Sequence, residues 1–449
     1  MVVWKAVNDM TRRSSPKTMT DEERRAKNNR IRETSRATRQ RRATMDCKVY
    51  TLKIVSTRLN ASQRESIERL FLEAKWVRNA LIAGGEFTRE ALAQFRDFVP
   101  VKTPQGVDNR EISIIGGQLA QGVLAEVKRN LKTLSTLKKK RRKVGSLKFT
   151  SQVNSVDFVQ HGVSWAINAE SKKIRLANIP GWMKVHGVHQ IPDDAEYANA
   201  KLVRKPSGLY LRITVFIPKA KPCYEEGTVV GVDMGVKDGL TFSDGTKITA
   251  LFGEPERVKR LRRKLSRQKK GSNKYRKTLT LIERELEKVS HKKDDSSNKI
   301  VHELAKNERI YFQDENISSW CRRRSLAGGS KRGHQGILGR VKSRLSVHNR
   351  AVMLDRFLPT TQLCACGRKN KIPLSERMYS CECGYREDRD IHAALNMIRC
   401  GRRLNASSTL ERSRTPVEFC VRPAVMSFSD VCVGGGTVKR EAVRLKASP

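Results

Sequence analysis

The chain has 449 residues, of which 91 are Lys or Arg and 46 are Asp or Glu, so its formal net charge is +45. A charge of that size argues against an ordinary small-molecule enzyme, because self-repulsion destabilises a compact fold unless a polyanion neutralises it. Nucleic acid is the expected partner, since its phosphates release counterions when Lys and Arg bind. No apolar run reaches the roughly 18 residues of a membrane-spanning helix and no secretory signal is visible, so we expect a cytoplasmic protein.

The N-terminal part of the sequence predicts a basic arm and a β domain. Residues 1–45 are rich in Arg and poor in large apolar side chains, so we predict an arm that is disordered when free. The segments 46–60 and 145–222 contain short alternating runs separated by turn residues, which predict a small antiparallel β-barrel. The clearest of these runs are 48–55, 155–158, 163–167, 173–176 and 210–217.

Residues 61–144 interrupt this β pattern and predict a helical insertion. Ser62 and Glu65 match a capping box at the start of its first helix. That helix carries an apolar stripe formed by Ile67, Leu70, Phe71, Ala74, Val77 and Leu81. A second helix is predicted over 114–137 and ends in the basic run 138–143.

The second half of the sequence mixes strands and helices. An apolar strand over 228–232 and two turns that contain Gly, at 238–239 and 244–245, predict three antiparallel strands in succession. A very basic helical stretch follows over 255–289. The other predicted elements are a strand at 309–313, a helix at 336–348, a strand at 352–357 and a helix at 388–397. Residues 401–449 are polar and without pattern, so we expect a disordered tail.

Two aspartates are candidate catalytic residues. Asp233 ends an apolar strand, and a carboxylate in that position is suited to hold a divalent cation on a phosphate. The alternative for Asp233 is a solvated side chain in a turn. Asp390 begins a helix in which Ala393 and Ala394 allow close packing on a sheet, which would bring this carboxylate toward a strand end. The neighbouring Asp388 suits N-capping instead.

Four cysteines form two pairs, each followed by Gly, as in the two knuckles of a zinc ribbon. The predicted zinc ligands are Cys364, Cys366, Cys381 and Cys383. Four thiolates leave no open position on a tetrahedral Zn²⁺, so we predict a structural site, with four free thiols as the alternative. One residue separates the cysteines of each pair instead of the usual two, which is expected to strain chelation by both thiolates.

The stretch 257–277 carries Arg and Lys on every face and has few acidic partners before Glu283. A charge run of this kind often faces solvent, but here we predict that it binds nucleic-acid phosphates. The predicted nucleic-acid-binding residues are Arg260, Arg263, Lys264, Arg267, Lys270, Lys274 and Lys277.

Three stretches, 230–235, 260–277 and 364–396, together resemble the TnpB family of transposon-encoded RNA-guided DNA nucleases, which are kin of the compact type V CRISPR effectors. The resemblance covers roughly residues 227–401 and is most specific at the cysteine pairs followed by Asp-Arg-Asp and Ala-Ala. It implies a guide RNA and a target double-stranded DNA as partners, with a short DNA motif read beside the target. The protein would then be a cytoplasmic one that joins the nucleoid when it binds DNA.

The resemblance also implies a fold class and a site. The expected fold is α+β and multidomain, in which the N-terminal β-barrel and its helical insertion precede an RNase H-like (RuvC) α/β domain. This RuvC domain would comprise residues 226–360 and 385–400, with the zinc ribbon inserted over 361–384. A RuvC core cuts DNA with two Mg²⁺ ions, which makes Asp233 the first catalytic carboxylate and Asp390 the last.

The middle carboxylate departs from the family pattern. Gln313 stands where a Glu is expected at a strand end, and Glu315 follows two residues later. Because strand side chains alternate, we expect Gln313 and Glu315 on one face, about 6.6 Å apart. Glu315 is therefore the predicted third catalytic and magnesium-binding residue, and Asp314, on the opposite face, is the weaker candidate.

Two alternative functions stay open. The loss of Glu at position 313 is compatible with an RNA-guided DNA-binding repressor that no longer cuts. A plain basic zinc-ribbon RNA-binding protein, with neither guide nor target, would have the same charge.

Overall fold

The computed structural model describes residues 20–219, 224–235, 238–320, 336–373, 375–408 and 436–440. The chain divides into two compact units, residues 1–220 and 221–449. Each unit has its own large sheet and its own hydrophobic core. None of the helices in these described ranges is long and apolar enough to cross a bilayer.

The first unit is built on a seven-stranded antiparallel sheet. Its strands are β1 (Met45–Ile54), β4 (Ser155–Phe158), β5 (Trp165–Asn168), β6 (Lys173–Leu176), β7 (Met183–His186), β8 (Glu196–Lys205) and β9 (Gly208–Pro218). The strand order is β4-β8-β9-β1-β7-β6-β5, so the long strands β9 and β1 lie near the middle. Alternate residues of β9, Leu211, Ile213 and Val215, are fully buried and face the core. The predicted antiparallel β region is confirmed.

A helical segment with a short hairpin separates β1 from β4. Its elements are α2 (Ala61–Gly84), α3 (Arg89–Ala93), β2 (Phe98–Thr103), β3 (Gly106–Glu111) and α4 (Gly117–Lys139). All six residues of the predicted apolar stripe of α2 are buried, as expected. The predicted capping box was misplaced, because Asn60 and Gln63 exchange the capping hydrogen bonds and Ser62 already lies inside the helix. The hairpin between the helices was not predicted.

The described part of the basic arm is a helix, α1 (Asp21–Ala43), and not a disordered segment as predicted. Thr20 and Glu23 form a capping box at its start, and acidic residues in the first turn with basic ones in the last complement the helix dipole. None of its residues is buried, which agrees with the absence of an apolar face. Near its end two Arg side chains pair with Glu196. Residues 1–19 lie outside the described residues.

A buried carboxylate holds the start of α4 against α2. The Glu73 side chain accepts the backbone N–H groups of Ser113, Ile114 and Ile115 at 2.8–2.9 Å, and Arg69 Nε at 2.7 Å. Burial by itself raises the pKa of Glu73, but the Arg69 and backbone hydrogen bonds outweigh it and hold that pKa below the ordinary 4.5. The ionised side chain therefore stabilises the helical segment.

We expect Glu73→Ala to lower the free energy of unfolding by about 3 kcal/mol, because it leaves one buried and two half-buried N–H donors without their acceptor. Since the pKa is depressed in the folded state, the Glu73 contribution is present above pH 4.5 and is lost as the pH falls through the folded-state value. Urea unfolding at several pH values measures both effects. Glu65→Ala, on the exposed face of the same helix, is the control, and equal losses in the two variants would contradict the assignment.

The second unit contains a mixed six-stranded sheet. Its strands are β10 (Glu225–Gly235), β11 (Gly239–Phe242), β12 (Thr246–Ala250), β13 (Asn307–Gln313), β14 (Ala351–Leu354) and β17 (Gly436–Arg440), in the order β14-β13-β10-β11-β12-β17. Strands β10, β11 and β12 pair antiparallel in succession, as predicted, whereas β13 pairs parallel with both β10 and β14. A small two-stranded sheet of β15 (Met378–Ser380) and β16 (Arg386–Asp388) lies apart from it.

Five helices of the described residues belong to this unit: α5 (Glu256–Ser266), α6 (Asn273–Leu304), α7 (Ile317–Trp320), α8 (Leu338–Leu345) and α9 (Arg389–Ser408). The basic stretch predicted as one helical region is divided between α5 and α6, and Gly271 takes a positive φ of 84° in the break. Ile300 and Leu304, at the end of α6, are buried in the core beneath the sheet.

The prediction that residues 401–449 form a disordered tail is wrong for two segments. Helix α9 continues to Ser408, because Gly401 does not end it: a Cβ there would lie 2.1 Å from the Tyr311 ring, so the glycine lets the helix pass over β13. Strand β17 adds to the sheet edge at β12, with Val438 opposite Ile248. Residues 409–435 and 441–449 lie outside the described residues.

Candidate functional site

Helix α9 lies directly against the central strand β10. A Cβ built on Gly231 would lie 1.9 Å from the carbonyl oxygen of Ala394, so this approach requires glycine in the strand. Ala393 and Ala394 are fully buried, and their small size allows the contact, as the sequence predicted. The close packing places Asp390, in the first turn of α9, beside the end of β10 that carries Asp233.

Two of the predicted catalytic carboxylates, Asp390 and Glu315, act electrostatically on the third, Asp233. Burial, followed by the negative charges of Asp390 and Glu315, raises the pKa of Asp233 to about 8. The pKa of Asp390 is raised chiefly by burial, and so is that of Glu315. These carboxylates lie more than 70 residues apart in sequence, so their interaction arises from the fold. Without a bound cation, Asp233 keeps its proton at neutral pH.

The geometry around Gln313 explains how Glu315 reaches this cluster. Strand β13 ends at Gln313, and the Glu315 N–H donates to the Gln313 carbonyl at 2.8 Å, so the chain bends there. The strand alternation used to place Gln313 and Glu315 on one face therefore does not extend to Glu315. The position of the Glu315 side chain is therefore set by this bend, and not by a displacement of two residues along a straight strand, as alternation predicted.

Gln313 itself has a structural role. Its Nε2 donates to the carbonyl oxygens of Asp355 and Leu358, both at 2.9 Å, and its Oε1 accepts from Thr360 at 3.2 Å. A buried amide with these partners fastens the segment after β14 to the end of β13. The weaker candidate, Asp314, is engaged by Lys342 and Arg356, whose hydrogen bonds lower its pKa.

Two residues near Asp390 were not predicted from sequence. Arg377 Nη1 lies 3.4 Å from Asp390 Oδ2 and 3.7 Å from Asp238 Oδ2. Asp238 had been assigned only to a turn, and nothing in the sequence around Arg377 distinguishes it from other surface arginines. Asp388 caps α9 as predicted, since its Oδ1 accepts the N–H groups of Asp390 at 2.9 Å and Ile391 at 3.1 Å.

The four predicted cysteines form one cluster whose sulfur atoms all lie within 4.8 Å of one another. The shortest distances join the two pairs: Cys364 to Cys383 at 3.6 Å and Cys366 to Cys381 at 3.7 Å. A tetrahedron with metal–sulfur bonds of about 2.3 Å has edges of about 3.8 Å, so this donor set fits a metal ion. The strain expected from the one-residue spacing does not keep any sulfur out of the cluster.

Each pair of cysteines sits in the same kind of turn. The Gly367 N–H donates to the Cys364 carbonyl at 3.1 Å, and the Gly384 N–H donates to the Cys381 carbonyl at 2.9 Å. Both glycines have positive φ, 88° and 86°, which other residues rarely adopt. Burial raises the pKa of Cys364 to about 12, and the backbone hydrogen bond at Cys383 lowers that of Cys381 to about 7.

Helix α9 joins the cysteine cluster to the carboxylate site. The buried His392 ring stacks on Tyr379, with ring centres 3.8 Å apart and planes 13° apart. Burial lowers the pKa of His392 to about 4, so the ring is neutral. One turn later, Asn396 Nδ2 donates to the carbonyls of Thr360 at 2.7 Å and Leu363 at 2.6 Å. Helix α9, which carries Asp390, is thereby hydrogen-bonded at Thr360 and at Leu363 to the segment that leads into the cysteine cluster.

The seven predicted nucleic-acid-binding residues are all exposed on α5, α6 and the connection between them. Within the described part of the chain, none of the seven forms an ion pair. Three neighbouring basic residues do so: Arg257 with Glu285, Lys259 with Glu256 and Arg262 with Glu254. The seven positive charges are therefore available to an external polyanion.

Two family models match separate parts of the chain. The OrfB_IS605 family, described as a probable transposase, matches residues 212–310, and the Cas12f1-like TNB domain matches residues 341–397. The first match contains Asp233 and the basic helices, and the second contains the four cysteines and Asp390. Glu315 lies between the two matches.

Two curated relatives are named as RNA-guided DNA endonucleases. One, from Streptomyces pristinaespiralis, is 24% identical over 255 residues, which are 55% of this chain and 62% of that protein. The other, InsQ of Escherichia coli K12, is 25% identical over 282 residues, which are 56% of this chain and 68% of InsQ. The match thus spans less than two thirds of the Streptomyces relative.

Among solved structures, a Cas12f1–sgRNA–target DNA complex aligns with 79% of this chain and 99% of its own, at 13% identity and a TM-score of 0.44. The family models and the two curated relatives agree with the resemblance that the motifs at 230–235, 260–277 and 364–396 carry. The chain is thus similar to the OrfB_IS605 family over residues 212–310 and to the Cas12f1-like TNB domain over residues 341–397.

Proposed function

We propose that the protein is an RNA-guided DNA endonuclease that hydrolyses phosphodiester bonds at the site of Asp233, Glu315 and Asp390. The observation that carries the proposal is the close packing of α9 on β10, which places Asp390 beside the end of β10 that carries Asp233. Carboxylates whose charges act on one another, in a chain of net charge +45, suit a cation-assisted reaction on a polyanion. The names of the two curated relatives support the same activity.

The fold around the site supports an RNase H-like (RuvC) domain over 226–360 and 385–400, interrupted by a zinc ribbon over 361–384. Three antiparallel strands are followed by two that pair parallel, and α9 packs on the central strand. In the first unit, we assign the sheet of 46–60 and 145–222 to a β-barrel and 61–144 to a recognition insertion.

The donor sets fit two kinds of metal. Carboxylate oxygens are the ligands that Mg²⁺ prefers, and Asp233, Glu315 and Asp390 would hold two such ions. Bound there, the ions would supply an activated water and stabilisation of the leaving 3′ oxygen. The chain's own task is to hold the carboxylates together against their repulsion, and the packing of α9 on β10 does so for Asp390 and Asp233. The four cysteines would hold one structural Zn²⁺, since four thiolates leave no open position.

The target would be chosen by base pairing with a guide RNA, while the protein binds the backbone of the heteroduplex. The exposed basic residues of α5 and α6 suit that role, and so do helix α1 and the run 138–143. Such a protein works in the cytoplasm, at the nucleoid when it is bound to DNA.

The direct test is purification of the chain together with the RNA from its own locus, followed by sequencing of that RNA and a plasmid cleavage assay with Mg²⁺. We expect one structured RNA with a variable end, and cleavage of a plasmid that matches this end. Guide-dependent binding without a cut would identify the repressor instead. A mixture of unrelated RNAs with no DNA binding would identify a plain RNA-binding protein.

The middle carboxylate has its own test. We expect Glu315→Gln to lower single-turnover cleavage by about 100-fold or more, because the variant loses one anionic ligand and keeps the shape of the side chain. Gln313→Ala removes three structural hydrogen bonds, so it should lower the melting temperature but still cut at temperatures where it is folded. Normal cleavage by Glu315→Gln would exclude Glu315 from the site.

A further inference from the structure

We propose that Arg377 stands in for a divalent cation between Asp238 and Asp390 in the metal-free protein, and that Asp238 is a further carboxylate of the metal site. This inference rests on the proposed function and deepens it. It adds to the site one acidic residue and one internal cation that the motifs at Asp233 and Asp390 do not reveal.

The first step is the position of the guanidinium. A single nitrogen of Arg377 lies within 4 Å of two carboxylates, at 3.4 Å from Asp390 Oδ2 and 3.7 Å from Asp238 Oδ2. Both distances are too long for a strong hydrogen bond and suit an electrostatic bridge. Arg377 therefore bridges the two carboxylates through one long hydrogen bond to Asp390 and one ion pair with Asp238.

The second step is that all three backbones are fixed. The Arg377 carbonyl accepts the Arg389 N–H at 2.7 Å, directly before Asp390. The Asp238 carbonyl accepts Thr249 Oγ1 at 2.9 Å. The bridge thus joins three anchored segments: the end of the β10–β11 turn, the start of α9 and the residue that leads into β15.

The third step is the charge balance at Asp390. Two guanidinium groups lie near this carboxylate, Arg377 Nη1 at 3.4 Å and Arg389 Nε at 3.6 Å, and Asp238 lies on the other side of Arg377 at 3.7 Å. A cation between two carboxylates offsets their mutual repulsion. A magnesium ion would supply twice the charge of a guanidinium to the same pair of carboxylates. It would have to displace the Arg377 side chain, which is 38% exposed.

The fourth step is the origin of Arg377. It immediately precedes β15, the strand that carries Tyr379 and leads to Cys381. The Arg377 guanidinium therefore belongs to the segment that holds the cysteine cluster, and it reaches the carboxylate site at the start of α9.

The test measures metal occupancy without relying on DNA cleavage. Fe²⁺ with ascorbate and peroxide produces hydroxyl radicals where the ion binds, and these cut nearby polypeptide. In the full chain bound to its RNA, we expect cuts near Asp233 and Asp390, and Mg²⁺ should suppress them by competition. The quantity to measure is the Mg²⁺ concentration that gives half-suppression.

We expect Arg377→Gln to lower that concentration by about tenfold, because the ion no longer competes with an internal cation. Asp238→Asn should raise it by about tenfold, since one ligand oxygen loses its charge. Arg368→Gln, which removes another ribbon arginine from an exposed pair with Glu382, should leave it unchanged.

An unchanged or higher midpoint in Arg377→Gln would overturn the inference, even if cleavage fell, because the arginine would then act on the DNA phosphate or on folding alone. An unchanged midpoint in Asp238→Asn would remove Asp238 from the site. If the wild-type chain shows no iron-dependent cuts near Asp233 and Asp390, the carboxylate site itself is wrong, and the proposed function falls together with this inference.

Discussion

Asp233→Asn should lower guide-dependent DNA cleavage by at least about 1000-fold, which corresponds to about 4 kcal/mol of lost transition-state stabilisation. The change removes the charge of the most strongly perturbed carboxylate in the site, where burial and two neighbouring carboxylates raise the pKa to about 8. Single-turnover cleavage of a labelled target by the assembled ribonucleoprotein measures the effect. Asp390→Asn should cause a loss of similar size.

The stability of the Asp233→Asn variant can be measured separately from its cleavage activity. Asparagine is close in shape to a protonated aspartate, which is the form of Asp233 expected in the metal-free chain at neutral pH. We therefore expect metal-free Asp233→Asn to be at least as stable as wild type at neutral pH, because wild type must protonate an aspartate of ordinary pKa 3.8 in order to fold, whereas the amide needs no proton. RNA binding should be unchanged. A variant that folds and still cuts at the wild-type rate would show that catalysis lies elsewhere.

The raised pKa also predicts a pH dependence. A group whose folded-state pKa is raised stabilises the fold fully below its ordinary pKa of 3.8, and that contribution is lost as the pH rises through about 8. Metal-free wild type should therefore lose stability progressively as the pH rises from about 4 to about 8, whereas Asp233→Asn should not. Mg²⁺ binding must release the proton, so the Mg²⁺ requirement for cleavage should fall over the same pH range.

Cys381→Ser should release bound zinc and lower cleavage by about 100-fold, although the cysteines lie outside the carboxylate site. The loss is expected because the cluster supports Tyr379, which stacks on His392, and because Asn396 of the same helix holds the chain at Leu363. Without the cluster, the start of α9 and Asp390 lose their support. Metal analysis of the purified chain and the cleavage assay measure the two effects together.

The matched control is Cys47→Ser, which replaces an exposed cysteine of the first unit. It should keep both the zinc content and the cleavage rate of wild type. Two results would contradict the structural role of the cluster: wild-type protein that carries no zinc yet cuts efficiently, or a Cys381→Ser variant that loses zinc and keeps full activity.

The sequence predicted the parts of the site that short motifs encode. Asp233 follows an apolar strand, Asp390 precedes two alanines and the cysteines stand in pairs, so each signal lies within a few residues. The position of Glu315 depends on a bend after Gln313 that strand alternation cannot describe. Asp238 and Arg377 meet only through tertiary packing, and each resembles an ordinary surface residue in sequence.

The same distinction applies to the fold. The stripe of α2 was predicted because its period is local, whereas its capping residues were misplaced by two positions because Asn60 and Ser62 are both good caps. The last helix was predicted to end at 397, but it continues past Gly401, which contacts Tyr311, a residue 90 positions earlier in the chain. Strand β17 escaped prediction because its pairing partner, β12, lies far away in sequence.

The hydrogen bonds of Gln313 restrict which side chains position 313 can accept. A comparison of this chain with the TnpB pattern would suggest restoring Glu at position 313. The substitution would remove the two N–H groups that bind the carbonyls of Asp355 and Leu358, and would place an anion against those oxygens. Such a repair would loosen the turn that presents Glu315, so the unusual residue and the displaced carboxylate are best changed together or left alone.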